Sequence, residues 1–367
     1  MITVHFIDVG QGNMTLIDAG TGGVVIYDCN ITDDNQTAVL GYTRGVLNGR
    51  RVAAFMNSHR DADHMRGVAR LHEHFGINEF WDCGVPGSTI DSTEYTQYMR
   101  VRGNVGCWAF RPGTAYTLGP ATVMVVGAAS PGPFDANTQS AVVKVSYLGN
   151  AVMLTGDTDV RSWKAIRSSF SDAQLKSTFL LAGHHGSDTF FEDAVATPAF
   201  EPSYASLFGS SGNSKDSWAD LFAGMSPYSQ STSVTSRRQP NTLAALAALV
   251  ASGPDVRRRE PSTSLASFNP SFGKTKTLGE MIAAALAVKK KWYTDHVTAI
   301  APAVTIVSVG SNSHGHPHAD AMRLYEQHST GRSDGRKVLR TDQHGTIVCR
   351  LNADGTSTIG GLREAAQ

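Results

Sequence analysis

The residues His59-Arg60-Asp61-Ala62-Asp63-His64 place two imidazoles and two carboxylates within one short stretch. They follow the apolar run Val52-Ala53-Ala54-Phe55-Met56 and the pair Asn57-Ser58. A strand ending there releases these side chains into a loop at the sheet edge. In an extended tip, side chains at 59, 61 and 63 alternate with those at 60 and 62, so all three point to one side. His64 then opens an expected helix whose apolar positions Met65, Val68, Leu71 and Phe75 follow helical spacing. Nitrogen and oxygen donors converging on one small volume are what a divalent transition metal needs. A solvated turn with incidental histidines is the plainer reading, but four donors framed by a strand and a helix favour a metal site.

Three further stretches repeat the arrangement. Asp157 follows the apolar run Val152-Met153-Leu154 and a Thr-Gly turn. It suits a ligand at a strand end, or equally the N-cap of a helix over 160–169. In Gly183-His184-His185-Gly186-Ser187, adjacent histidines follow the strand-like 178–182, and glycine permits close backbone approach. His314, His316 and His318 alternate after the apolar run 303–309, as ligands would, or as a surface histidine-rich turn would. Sites on open α/β sheets gather at strand ends. Two metals bridged by one carboxylate could clamp the attacking and leaving oxygens of a hydrolysis.

The elements that must position these groups are legible in outline. Strands are expected at 2–9, 13–18, 23–28, 52–57, 79–82, 122–126, 141–148, 151–155 and 178–182, then at 303–309 and in a hairpin over 346–360. Helices are expected at 36–48, 64–75 and 160–169. Strands come first and then alternate with helices, which suits an α/β fold of sheets covered by helices. Residues 200–300 differ: 202–240 are rich in Ser and Gly, and 252–276 in Pro, Ser and Arg. Two Ala-rich helices are expected at 241–251 and 278–293. The region 201–300 therefore reads as an insertion into one domain made of 1–200 and 301–367.

Composition bounds the partners. The 367 residues carry 32 basic and 32 acidic side chains, so no global field draws the chain to nucleic acid or membrane. The 36 glycines and 17% charged residues fit a loop-rich globular protein. Cys29, Cys83, Cys107 and Cys349 lie far apart, and reduced thiols are expected. Met1 leads directly into an apolar strand without a basic flank, and no apolar stretch reaches the length of a membrane span. A cytoplasmic protein without membrane contact is the expectation.

Read together, these motifs resemble the metallo-β-lactamase superfamily, and within it the hydrolase domain of the ComEC-type DNA-uptake competence proteins. HFIDVGQGNMTLI resembles that family's opening, and VVIYDCN its next strand ending in Asp. SHRDADHMRG is similar to its HxDxDH motif, in which Asp replaces the second His of the commoner HxHxDH. NTQSAVVKVSYLGNAVMLTGD, AGHHGSDTF and VSVGSNSHGHPHADAMRLYEQ resemble its later blocks, in the family's order over about 1–200 and 301–350. The resemblance implies a four-layer αββα sandwich with a large, partly helical insertion and two divalent ions, Mn²⁺ or Zn²⁺, at one edge. It implies that His59 and Asp61 face one ion, Asp63 and His64 the other, and that Asp157 bridges them. One of His184 and His185 completes the set, with His184 the favoured ligand. Asp28 braces the metal loop, Asn137 and Ser140 line the pocket, and His316 holds a phosphate or protonates the leaving group. Three departures stand out: no membrane region, a long segment between HHGS and SVG, and Arg66 where the family has Gly.

The leading expectation is a phosphodiesterase that cleaves DNA by a metal-activated hydroxide. Asp61 makes the site more oxygen-rich, which tilts it toward Mn²⁺ without excluding Zn²⁺. Basic runs at Arg237-Arg238, Arg257-Arg258-Arg259 and Lys289-Lys290-Lys291 could meet a phosphate backbone, or be solvated faces. The alternatives are a small-molecule hydrolase acting on a lactone, thioester or cyclic nucleotide, and a regulated effector whose 201–300 region binds a protein partner.

Overall fold

The computed structural model describes residues 1–127, 136–193 and 291–363. Its strands are β1 (Ile2–Phe6), β2 (Thr15–Asp18), β3 (Val24–Tyr27), β4 (Val52–Asn57), β5 (Phe80–Asp82), β6 (Cys107–Ala109), β7 (Ala115–Leu118) and β8 (Ala121–Gly127). They continue with β9 (Val142–Tyr147), β10 (Asn150–Leu154), β11 (Phe179–Leu181), β12 (Val304–Val307), β13 (Val338–Arg340), β14 (Ile347–Leu351) and β15 (Ser357–Gly361). One sheet has the order β15-β14-β1-β2-β3-β4-β5-β6 and the other β13-β12-β11-β10-β9-β8-β7.

Each sheet is antiparallel at one end and parallel at the other. β3 through β6 run parallel, as do β10 through β13. The central strands of the parallel parts, β3, β4, β10, β11 and β12, are buried along nearly their whole length, so their sequences are largely apolar. In β3, Val25 and Tyr27 face the other sheet while Val24 and Ile26 face helices. In β10, Val152 and Leu154 point between the sheets and Met153 points outward. Fully burying one such side chain contributes about 1.5–3 kcal/mol.

Helices cover both outer faces. α1 (Gln36–Leu47), α2 (Ala62–Met65), α3 (Val68–Phe75) and α4 (Thr93–Val105) lie beside the first sheet, where Val39, Leu71 and Tyr98 join Val24, Phe55 and Phe80 in one apolar cluster. Beside the second lie α5 (Val160–Ser169), α6 (Asp172–Leu175), α7 (Asp295–Ile300) and α8 (Ala319–His328). Trp163, Ile300 and Tyr325 pack there on Met153 and Leu180. A short α9 (Thr341–His344) follows β13. The four layers are helices, sheet, sheet and helices, the sandwich expected from the motifs.

Three local expectations change. The helix over 64–75 is two helices, because Arg66 is extended and Gly67 takes φ +81. The chain crosses residue 31 there, and a Cβ on Gly67 would stand 2.5 Å from the Ile31 Cβ. Asp63 consequently sits in the turn of α2, and the extended tip ends at Asp61. β6, β7 and α4 were not expected; the two strands are short and half-exposed, so they lack a buried pattern.

Residues 201–290 of the expected insertion, including helix 241–251 and the basic runs at 237–238 and 257–259, lie outside the described residues. Its final part does not behave as inserted sequence. Trp292 forms a bridge with Glu192, and Val297, Ala299 and Ile300 of α7 are buried in the core of the second sheet. The Asp193 N–H donates to the Lys291 carbonyl at 2.9 Å, and the Tyr293 N–H to the Phe191 carbonyl at 2.8 Å. Lys291 also faces Asp193 at 3.7 Å. Two chain ends are thus clamped side by side. No helix among the described residues is long and apolar enough to cross a membrane.

Candidate metal centre

The tips of β3, β4, β10 and β11 meet at one edge of the sandwich, and Asp28 lies at the root of the site. Buried and at φ +59, it accepts from the Ser58 backbone N–H at 2.6 Å, the Ser58 hydroxyl at 2.8 Å and the Asn13 amide at 3.0 Å. His64 Nδ1 stands 2.8 Å from its Oδ2. A carboxylate can only accept, so that nitrogen carries the proton and His64 Nε2 offers its lone pair. His59 Nδ1 lies 2.9 Å from the Ser58 hydroxyl, which has given its own proton to Asp28. The same logic frees His59 Nε2, a buried atom with no hydrogen-bond partner among the described residues.

His185 is fixed from the opposite sheet. Its Nδ1 lies 3.0 Å from the Ser308 carbonyl, which again leaves the Nε2 lone pair toward the cluster. That atom lies 3.1 Å from His64 Nε2 and 3.1 Å from Asp63 Oδ2. At these distances each Nε2 either shares a proton with a neighbouring carboxylate or ring, or gives its lone pair to a cation lying between them. Asp157 divides its oxygens: Oδ1 is 3.1 Å from His64 Nε2 and 3.6 Å from His185 Nε2, while Oδ2 is 3.6 Å from His184 Nε2 and 3.9 Å from His59 Nε2. Asp61 Oδ2 adds a carboxylate 3.7 Å from His59 Nε2.

These spacings fit metal ligation. Four donors at 2.0–2.2 Å from a tetrahedral ion stand about 3.3–3.6 Å apart. Asp63, His64 and His185 place their donor atoms within 4.8 Å of one another, as do His59, His64 and Asp157. The field agrees. Burial pushes the His64 imidazole down, but Asp157, Asp28 and Asp63 outweigh it and hold it well above the ordinary histidine value. His185 is raised in the same way, against burial, by Asp157 and Asp63. Burial pushes Asp157 up, and His64, His185 and His184 bring it well below the usual carboxylate range. A pocket that attracts protons this strongly attracts a divalent cation for the same reason.

The remaining expected residues lie around this cluster. His184 and His185 both take left-handed φ, at 49 and 52, which turns the adjacent rings apart to a centroid separation of 6.3 Å. His185 reaches Asp63 and His64; His184, the favoured ligand of the pair, reaches only Asp157 Oδ2, and its Nδ1 lies 3.0 Å from the Thr189 hydroxyl. The His316 ring stands 5.1 Å from that of His184, and burial with the nearby His184 and His185 brings it down to about 4. The Ser140 hydroxyl lies 3.2 Å from His59 Nδ1 and accepts the Asp157 N–H at 3.1 Å. Asn137 Oδ1 is buried without a hydrogen-bond partner among the described residues. The N-cap of α5 is Asp159, which accepts from the Ser162 N–H, so Asp157 is free of that duty. Arg66, the departure noted at the metal loop, faces Glu94 at 3.9 Å.

Residues 7–187 match the Metallo-beta-lactamase superfamily. This likeness covers just under half of the chain. The superfamily is one of metal-dependent hydrolases. Among solved structures, the chain is similar to the metallo-beta-lactamase fold protein YhfI from Bacillus subtilis, at 16% identity over 50% of this chain and 71% of that one, with a TM-score of 0.34. It is similar to Igni18, a metallo hydrolase from the hyperthermophilic archaeon Ignicoccus hospitalis, at 9% identity over 95% of this chain and 97% of that one, TM-score 0.42. A metallo-beta-lactamase from Cronobacter sakazakii, a HARLDQ motif mutant, gives 18% identity over 49% of this chain and 76% of that one, TM-score 0.33. A search of curated proteins finds no match.

The candidate centre also uses residues that no motif announces. Arg60 turns away from the donors and is buried against Asp82, with Nε and Nη2 each 2.8 Å from a carboxylate oxygen. Asp82 also accepts from the Tyr98 hydroxyl at 2.7 Å and from Arg102 Nε at 3.1 Å. One signal pointed there: Asp82 closes an expected strand and pairs in register with Asn57. Ser58, Ser308 and Thr189 act through single hydroxyls or carbonyls and leave no sequence pattern.

Proposed function

We propose that this chain is a metal-dependent hydrolase, and specifically a phosphodiesterase that cleaves DNA. The observation that supports it best is the division of Asp157 between two donor groups, one oxygen toward His64 and His185 and the other toward His59 and His184. A pair of ions held by one carboxylate suits in-line displacement at phosphorus, where attacking and leaving oxygens both need neutralising. Asp63, His64 and His185 would hold one ion and His59 with Asp61 the other, with Asp157 spanning them. When bound, Mn²⁺ or Zn²⁺ would supply Lewis acidity and a lowered pKa for water. Asp28 keeps His64 and, through Ser58, His59 in the ligating tautomer. His316 is neutral near pH 7 because it titrates at about 4, so it would steady a phosphate oxygen as an N–H donor. The Ser140 oxygen accepts the Asp157 N–H beside His59 Nδ1, and Asn137, whose Oδ1 has no hydrogen-bond partner among the described residues, would add an amide able to meet substrate.

The test is incubation of purified protein with plasmid, linear and single-stranded DNA in Mn²⁺ or Zn²⁺. Cleavage that Asp63→Ala and Asp157→Ala abolish is expected. Intact DNA under every metal, with turnover of a lactone or cyclic dinucleotide, would replace this reading by the small-molecule one.

A further inference from the structure

Asp61 is held from outside the metal loop. Both the backbone N–H and the hydroxyl of Ser88 donate to Asp61 Oδ1, at 2.7 and 2.8 Å. The other oxygen, Oδ2, is the one 3.7 Å from His59 Nε2. Ser88 belongs to the loop between β5 and α4, and that loop is pressed against the metal loop by close fit. A Cβ on Gly87 would stand 1.9 Å from the Arg60 carbonyl oxygen, so the approach is possible only for glycine. At its start the loop is tied down again, since Asp82 accepts the Gly84 N–H while gripping Arg60. The Arg60–Asp61 peptide therefore packs directly against this loop, which presents Ser88 to the Asp61 carboxylate.

We propose that Ser88 is a positioning residue that holds Asp61 as a one-oxygen ligand, and so sets the affinity and metal preference of the His59–Asp61 position. The proposal rests on the two-ion reading above. Two donors on Oδ1 saturate that atom and stop the carboxylate from swinging to offer both oxygens. A pinned, single-oxygen carboxylate favours a small, low-coordinate ion; a freely rotating one accepts larger ions that take both oxygens. The Asp63–His64–His185 group has no contact with Ser88 and is fixed by Asp28 and the Ser308 carbonyl, so the two positions respond differently to a change at 88.

The experiment measures stepwise binding of Mn²⁺ and Zn²⁺ to the metal-free protein by calorimetry, with electron paramagnetic resonance of the Mn²⁺ form reporting spin coupling between paired ions. Wild type should bind two equivalents with coupled spectra. Ser88→Ala keeps the backbone donor and loses the hydroxyl, and should weaken one Zn²⁺ step about 10- to 100-fold, the usual range for lost outer partners, and the matching Mn²⁺ step less. The other step stays as it was, coupling at sub-saturating Mn²⁺ falls, and Ser88→Thr restores both. Two unchanged steps in Ser88→Ala would overturn the proposal, as would equal weakening of both steps with a lower melting temperature, which marks a folding role. A wild type that binds one equivalent sinks the two-ion reading, and this proposal with it.

Discussion

Replacing Asp82 by alanine removes the anion from beneath the metal loop and leaves Arg60 stranded. Arg60 is 4% exposed and Asp82 1%, so neither charge is hydrated in the fold. The carboxylate takes two hydrogen bonds from Arg60 at 2.8 Å, one from Tyr98 at 2.7 Å and one from Arg102 at 3.1 Å. Arg102 reaches water and recovers part of its loss, while Arg60 does not. Breaking such a buried pair from one side costs about 3–5 kcal/mol, which raises the unfolded population by roughly two to nearly four powers of ten. Urea unfolding of the metal-free protein at neutral pH, followed by tryptophan fluorescence, measures it as a lower midpoint at unchanged slope. Arg60→Met with Asp82→Leu should recover most of the loss, because no charge is then left buried. A cost below about 1 kcal/mol for Asp82→Ala, or a double variant no better than the single one, would refute the reasoning about Arg60. The acid side gives a second reading. Burial pushes Asp82 up, but Arg60 and Arg102 outweigh it and hold the carboxyl below its ordinary value. Its stabilisation is therefore present above the unfolded pKa of roughly 3.9 and is lost as pH falls through the lower folded value, so the gap between wild type and variant should close below about pH 4.

Two other perturbations follow from packing. Deleting 194–290 and joining Asp193 to Lys291 through an Asn-Gly turn should leave a cooperatively melting protein with unchanged metal content, because the two ends already pair; global unfolding would refute it. Extending that deletion to 298 should unfold the protein, since it removes the buried His296 and Val297. His296 is stacked on Tyr293 at 5.3 Å and on Trp163 at 5.2 Å, with both ring nitrogens lacking hydrogen bonds among the described residues. His296→Phe should raise stability by about 1 kcal/mol or more. Burial, helped by His328 and Arg167, holds His296 well below 6.5, so wild type loses stability as pH falls below that value. The phenylalanine variant should lose less there, and equal acid sensitivity in thermal melts would contradict this.

The donors were legible because each follows an apolar strand. His59, Asp61, Asp157 and the His184–His185 pair stand out against buried neighbours, and the nearly unbroken apolar runs of β3 and β10 announce strands covered on both faces. What orients the donors was not legible. The rings of His184 and His185 diverge only because both residues adopt left-handed backbone, which no residue type at those positions signals. Helical spacing reads straight from Met65 through Val68 to Leu71, and the break between them comes from the approach of Ile31, a contact distant in sequence. α7 falls within the expected insertion because the Pro-, Ser- and Arg-rich texture before it masks an apolar face that belongs to the core. Ser58 and Ser88 are ordinary hydroxyls until the fold places a carboxylate beside them.

The position of β1 has a consequence for a chain still being made. β1 lies inside its sheet between β2 and β14, so one neighbour is the next strand synthesised and the other, at Ile347–Leu351, comes near the end. Until then β1 presents an unpaired edge, and a nascent chain must be kept from joining it to another strand. The same delay affects the donor cluster. Every donor from His59 to His185 leaves the ribosome before the Ser308 carbonyl that holds the proton on His185 Nδ1. A growing polypeptide therefore carries all the ligands well before the last of them is locked in its binding form. Contacts of such long sequence separation also slow folding. A metal supplied during synthesis would meet flexible histidines and carboxylates rather than a finished centre, so the timing of metal entry bears on which ion the mature protein retains.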